Sequence, residues 1–325
     1  MAEWLYEAGI GENRAALVEH DEIRAVRLER ALDGVRHGAI IMARLIEPDI
    51  VELDDSANTR ASLQGRTKFP LGSRFMVEVV RMALKERGRD KLARVRMAAD
   101  DAVPQDGLSL LQRISTTEVP VTMLTALTPG VDRLEAAGWS DMIDRAQRGH
   151  WAFDGGALWF DPTPAMLVID MDGQGKALPL ARAGAKAACE MIQAFDVGGP
   201  IVIDFPSLGS RAERAEVDGL IDRYLPPPFE RTGTNGFGLM QIIRRRNRPS
   251  VIEQLRYDHS YTDAALLLRQ AERAPGSGEL LLRARPAVID LLLAHPQWTE
   301  ALQHSSGRRV SLQADANMKG AGHAQ

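Results

Sequence analysis

At 325 residues, with 45% hydrophobic and 26% charged residues, the chain has the composition of a globular protein with room for more than one core. Its start, MAEWLYEAGIGENR, lacks a basic stretch leading into an apolar core, and no apolar run approaches the ~20 residues of a membrane helix. The single cysteine, Cys189, excludes a disulfide framework or a cysteine-rich zinc site, and the net charge of −4 argues against coating nucleic acid by bulk charge.

The expectation from these features is a cytoplasmic protein with no membrane partner. Residues 4–30 predict two strands joined by a turn, from the alternation in AALVEH and IRAVRL. From Gly38 to Ala98 come five short β-rich runs (AIIMARL, DIVELD, TRASLQG, RFMVEVVRM, LARVRM) broken by Pro, Gly, Asp and Asn. That spacing predicts a small barrel, of which the OB fold is the common five-stranded form. Between Arg60 and Arg96 this segment carries eleven Lys or Arg against three acids, a net of +8. An isolated charge run is more often a solvated, salt-bridged face than a binding site.

Residues 99–106 read as a linker. GLSLLQRIS and the stretch 131–149 have helical apolar spacing, the latter broken by Gly138. GGALWF and then AMLVIDMDG (165–173) read as strands, the second ending on Asp170 and Asp172. An alanine-rich helix over 177–196 follows, and GGPIVIDF (198–205) ends a further strand on Asp204. Strand, helix and strand make a βαβ unit with parallel strands. Helices are predicted over 208–224 and 237–247, the latter with Met240 and Ile243 in the core and the run Arg244, Arg245, Arg246, Arg248 on its other face. A small tail follows: strand ELLLRA, helix PAVIDLLLAHPQW, strand RRVSLQA and a disordered NMKGAGHAQ.

Neighbouring parallel strands carry their carboxyl ends to one sheet edge, so Asp170 and Asp204 converge. Two close carboxylates repel unless a cation lies between them, and oxygen ligands suit Mg²⁺ or Mn²⁺ rather than zinc. The bland alternative is that each Asp caps a turn or helix, and for either residue alone that is the better reading. DGQGKA fails as a phosphate loop, because Asp170 and Ala177 stand where Gly and Ser or Thr are required. The seven histidines are scattered, and no GxSxG occurs.

Four stretches in order (the pair at 4–30, VIDMD at 168–172, GGPIVIDF at 198–205 and NGFGLMQIIRRRNRPSVIEQL at 235–255) resemble the ribonuclease E/G family of bacterial endoribonucleases. The resemblance spans nearly the whole chain and is thinnest over 100–150. It implies a mixed α/β (α+β) protein: an OB-fold RNA-binding barrel (35–100) inserted in an RNase H-like domain (1–34 and 101–155). A DNase I-like catalytic domain (156–258) and a small C-terminal α/β domain (259–325) would follow. By the same resemblance Asp170 and Asp204 match the two catalytic, magnesium-binding aspartates, and Asp172, standing where the family has Asn, is expected to assist as a third metal-binding carboxylate, directly or through a water. Arg66, Lys68, Phe69, Arg244, Arg245, Arg246 and Arg248 become the residues expected to contact single-stranded RNA.

The departures are specific. The segment after the barrel is too short for the family's 5′-monophosphate sensor, and its usual arginine aligns with Gly236. The Cys-Pro-x-Cys zinc link is replaced by RYDHSYTDAALL, so no zinc is expected, and a monomer or weak homodimer rather than a zinc-linked one. The stacking aromatics of the barrel align with Glu52 and Ser62, leaving Phe69 and Phe75. On the crossover helix the family's Asn-x-Glu-Ala-Ala stretch becomes Ala-Arg-Ala-Gly-Ala (181–185). Three readings follow: a Mg²⁺-dependent endoribonuclease leaving 5′-phosphate and 3′-hydroxyl ends, an RNA-binding relative whose activity has decayed, and a phosphoesterase of small nucleotides.

Overall fold

A computed structural model describes residues 1–125 and 132–325. The architecture is mixed α/β. Three strands rather than two occupy the amino terminus: β1 (Glu3–Glu7), β2 (Glu12–Glu19) and β3 (Glu22–Arg30), an antiparallel meander. The β2–β3 turn is His20-Asp21, both at positive φ (52° and 63°), which matches the right-handed twist of a tight hairpin.

The five strands expected between Gly38 and Ala98 are present: β4 (Ile40–Glu47), β5 (Ile50–Leu53), β6 (Arg60–Leu63) and β7 (Arg74–Arg81) come first. A small hairpin of β8 (Leu84–Glu86) and β9 (Arg89–Lys91) intervenes before β10 (Ala93–Met97). The five close into a barrel in the order β10-β6-β5-β4-β7, with β10 parallel to β6 and the other pairs antiparallel, consistent with an OB-like barrel. Every second residue points inward. Ala43, Leu45, Val51, Leu53, Ala61, Leu63, Val77, Val79, Ala93 and Val95 fill the interior, a set small enough for so narrow a barrel.

The chain then returns to the meander. Helix α1 (Leu110–Ser115) starts at a capping box of Ser109 and Gln112, and β11 (Val121–Leu124) pairs with β1 in parallel. The barrel is therefore an excursion between β3 and β11 of one sheet ordered β11-β1-β2-β3. Helices α2 (Arg133–Ala136) and α3 (Trp139–Arg148) are separated at Gly138, whose φ of 97° breaks the helix where the sequence indicates; Val131, where that helical stretch was expected to begin, lies outside the described residues.

A second, six-stranded sheet holds the aspartates. Its elements are β12 (His150–Phe153), β13 (Gly156–Pro162), β14 (Leu167–Gly173), α4 (Ala177–Ala194), β15 (Gly199–Asp204), α5 (Arg211–Tyr224), β16 (Phe229–Arg231) and β17 (Leu239–Arg244). The order is β12-β13-β14-β15-β17-β16, and β14–β15, bridged by α4, is its parallel pair. One face is covered and one is open. Leu167, Ile169, Met171, Ile201, Ile203, Met240 and Ile242 point into the core beneath α4, whose facing residues Ala181, Gly184, Ala185 and Ala188 are small. A Cβ at Gly184 would stand 2.2 Å from the Met171 sulfur, so helix and strand approach only because glycine is there.

The helix predicted over 237–247 is instead β17. Burial alternates along it: Met240 is fully buried, Ile242 too, whereas Ile243 is 58% exposed and is not a core residue. The Met240–Ile243 spacing fits a helix, but the backbone bonds of this segment go to β15, residue for residue from Asp204↔Leu239 to Gly199↔Arg244.

Helices α6 (Val251–Tyr257) and α7 (His259–Glu272) lead to β18 (Leu280–Ala284), α8 (Pro286–Ala294), α9 (Pro296–Ser306), β19 (Val310–Ala314) and β20 (His323–Ala324), with sheet order β19-β18-β20. The carboxyl terminus is therefore ordered, not disordered as expected: β20 pairs with β18, and Gln325 and Leu281 exchange backbone hydrogen bonds of 2.8 and 3.1 Å. A buried ionic network ties the meander to α7. Glu7 receives Arg14 (3.1 Å), Arg269 (3.7 Å) and Arg273, and Glu12 receives Arg30 (2.9 Å) and Arg269 (3.0 Å). Among the described residues no helix is long and apolar enough to cross a membrane.

Candidate functional site

Asp170 and Asp204 are direct neighbours in the register of the parallel pair β14–β15. Flanking residues Ile169, Met171, Ile203 and Phe205 are buried, while both aspartates lie on the open face. The pleat explains how an apolar strand ends on acids: alternate residues face opposite ways, and these carboxylates stand on the solvent-facing side. Neither has a hydrogen bond or ion pair to protein among the described residues. The Asp204 carboxyl is pushed above the usual carboxylate range, first by partial burial and second by the negative charge of Asp170.

Asp172 shares the face but occupies the next position along β14, opposite Ala157, and its Oδ1 accepts the backbone N–H of Gly173 (2.8 Å). Among the described residues no group of three or more His, Cys, Asp or Glu is arranged to hold a metal ion.

The register extends the site sideways. Across five strands, His150 pairs with Trp159, Trp159 with Asp170, Asp170 with Asp204, and Asp204 with Leu239, a single row on one face. Trp159 is 51% exposed, and its ring lies 4.5 Å from that of His150 at 52°. Beyond Leu239 the turn places Phe237, 84% exposed, with Asn235 Oδ1 accepting the N–H groups of Phe237 (2.9 Å) and Leu239 (3.1 Å). Gly238, at φ 92°, lets that turn touch the end of β15: a Cβ there would lie 2.3 Å from the Phe205 carbonyl oxygen. Lys176 and Arg211, both exposed, stand at the starts of α4 and α5, where the chain leaves the two aspartate strands. Trp159, His150 and Phe237 were not singled out from sequence. The signal was the alternation in GALWFDP, where Leu158 and Phe160 are inward and Trp159 must then face out.

The arginine run is elsewhere. Arg244 pairs with Gly199 at the opposite end of β15 from Asp204, roughly 17 Å away at the rise of a strand. Three of its members are committed internally: Arg244 Nη1 donates to the Val197 carbonyl (2.7 Å), Arg248 pairs with Asp196 (3.2 Å), and Arg246 pairs with Glu253. Arg245 is exposed and has no partner among the described residues. On the barrel, Arg66, Lys68 and Phe69 lie exposed in the β6–β7 loop, with the Phe69 ring stacked on Phe75 at 5.3 Å and 25°. Much of the local basic excess is neutralised, by pairs such as Arg74–Asp54 (3.1 Å), Arg96–Glu78 (2.7 Å) and Lys85–Asp258 (2.6 Å). Arg66, Lys68, Arg87 and Arg94 have no ion pair among the described residues.

Two clefts of about 340 and 450 Å³ lie away from the aspartate pair. The first is lined by Arg36, His37, Arg113 and Arg248, the second by Arg30, Leu84, Lys85 and Tyr261. Compared with known proteins, the chain matches no protein-family model and no curated sequence.

Proposed function

We propose that this chain is a magnesium-dependent endoribonuclease acting on single-stranded RNA. The observation that carries the reading is the in-register pair Asp170 and Asp204, on parallel strands, free of protein partners among the described residues and open to solvent. The donor set fits a hard cation: two adjacent carboxylates with room for waters and a phosphate oxygen are what Mg²⁺ takes in phosphoryl chemistry, and Mn²⁺ can replace it. The Asp204 carboxyl, raised first by partial burial and second by the Asp170 charge, is in keeping with a cation between the two. When bound, the ion would neutralise charge on the phosphodiester and make a nearby water more acidic.

The chain's own residues supply the remainder. Asp170 and Asp204 would hold the cation, and Lys176 and Arg211 carry positive charge to the same edge for the phosphate backbone. Water adds its oxygen to phosphorus, the P–O3′ bond breaks, and the 3′ oxygen takes up a proton, leaving 5′-phosphate and 3′-hydroxyl ends. In this reading the barrel with Arg66, Lys68 and Phe69 is an OB-type RNA grip within an RNase H-like domain. Residues 156–258 are the DNase I-like catalytic domain and 259–325 the small terminal one, the arrangement of the ribonuclease E/G family that the chain resembles. An open sheet face suits an extended polymer better than a small nucleotide, which both clefts would enclose more fully.

Asp170→Asn and Asp204→Asn, each assayed on an end-labelled single-stranded RNA, are expected to lower cleavage by at least about 100-fold, the scale of losing one charge-stabilising group. Wild-type cleavage by either variant refutes the assignment. One observation favours the second reading, an RNA-binding protein without turnover: Asp172 serves its own turn, leaving two carboxylates at the site. Saturable Mn²⁺ binding with no cleavage by the wild type supports that alternative.

A further inference from the structure

Of the five tryptophans, Trp4, Trp139 and Trp298 are buried and Trp151 is partly so; Trp159 alone has half its surface in water. An indole costs more to leave exposed than any other side chain, and its position is not arbitrary. It stands directly across from Asp170, so the two Cβ atoms are about 5 Å apart. The imidazole of His150 backs it from the next strand, which limits the rotamers open to the indole. Among the described residues no hydrophobic element covers it, and Phe237 is exposed on the far side of the aspartate pair.

We infer that Trp159 is a stacking platform for one nucleobase of a single-stranded RNA, held next to the phosphodiester that Asp170 and Asp204 address. The inference rests on the nuclease reading for the identity of the polymer. The flat face admits an extended strand. One nucleotide spans about the distance from one β-strand to the next, so a base on Trp159 and a phosphate over the pair belong to adjacent positions of one chain. Charge sets a condition on this grip. Asp170, Asp172 and Asp204 lie on this face without a cationic partner among the described residues, whereas Asp161 beside them pairs with Arg256 (2.7 Å), and an RNA phosphate is repelled from the three unless a divalent cation occupies the pair. Stacking at Trp159 is thus available only in divalent metal. The platform also selects by chemistry: every base offers a π-face, so it distinguishes base-bearing from abasic positions without reading sequence.

The test is binding rather than turnover. The probes are two fluorescent single-stranded RNA octamers of equal charge, one complete and one with central abasic positions, titrated by anisotropy in Ca²⁺ and in EDTA. Wild type is expected to prefer the complete strand in Ca²⁺. Trp159→Ala is expected to lose affinity for it by about tenfold, the usual size of one base–aromatic contact, and to leave abasic binding unchanged. Trp159→Phe, which keeps a π-face, retains most of the preference, and unchanged abasic binding by the alanine variant shows that it has not merely lost its fold. Equal affinity of Trp159→Ala and wild type for the complete strand overturns the platform, as does a wild type that binds neither probe. If the tenfold loss appears while Asp170→Asn still cleaves at the wild-type rate, the platform stands and the catalytic assignment of the aspartates falls.

Discussion

Replacing Asp204 by Asn separates electrostatics from chemistry. With no cation, Asp170 and Asp204 are two like charges about 5 Å apart at the spacing of adjacent strands. In water that repulsion is about 0.8 kcal/mol, and salt at physiological strength roughly halves it. Asp204→Asn is therefore expected to be more stable than wild type in EDTA, by about half a kcal/mol. The sign follows from the raised Asp204 carboxyl. A folded-state pKa above the unfolded value means the native protein loses stability as pH rises through that raised range, so the advantage of Asn is absent in acid and complete near neutrality. Divalent metal reverses the order. A cation at about 100 times its Kd adds about 2.7 kcal/mol to the wild type and nothing to a variant that cannot bind it, leaving Asp204→Asn about 2 kcal/mol behind. Urea denaturation in EDTA and in Mn²⁺, with native-state hydrogen exchange of the β14 and β15 amides to localise the effect, reads both signs. A variant that is less stable in EDTA, or that gains from Mn²⁺ as wild type does, refutes the reasoning.

Two further predictions concern charges outside the site. Glu7→Gln removes a carboxylate shared by Arg14, Arg269 and Arg273, each of which keeps a second one (Asp132, Glu12 and Asp132), so the cost should be about 1–3 kcal/mol, seen as a fall in the urea midpoint. Arg245→Ala and Arg246→Ala should differ in kind. The first leaves stability within about 0.5 kcal/mol of wild type and lowers the salt slope of single-strand binding by about one. The second strips Glu253 and the buried Glu86 of a partner and lowers stability by about 1–3 kcal/mol, with denaturation and anisotropy at two salt concentrations distinguishing them.

The barrel was legible because its strands are half-buried, and Leu45, Val51, Leu53, Val77 and Val79 write the period of two directly into the sequence. The parallel β14–β15 pair was legible for another reason: an alanine-rich crossover between two apolar runs leaves little other topology. Leu239–Arg244 was misread because Met240 and Ile243 happen to lie three apart, and only its pairing with β15, some 40 residues upstream, selects the strand. Helix α6 was missed although Ser250 and Glu253 form a capping box that the sequence displays. The ordered terminus had no local signal. His323 and Ala324 are poor strand formers, and the edge of β18 supplies what they lack.

The aspartates show where sequence pattern stops and geometry decides. An Asp at a strand end ordinarily caps a turn, and one of the three does so: Asp172 bonds the Gly173 N–H. Asp170 and Asp204 cap nothing among the described residues. They are exposed, so no buried partner is needed to explain them, and side by side they oppose folding slightly rather than assist it. The structural explanation that suffices for Asp172 is therefore unavailable for the pair.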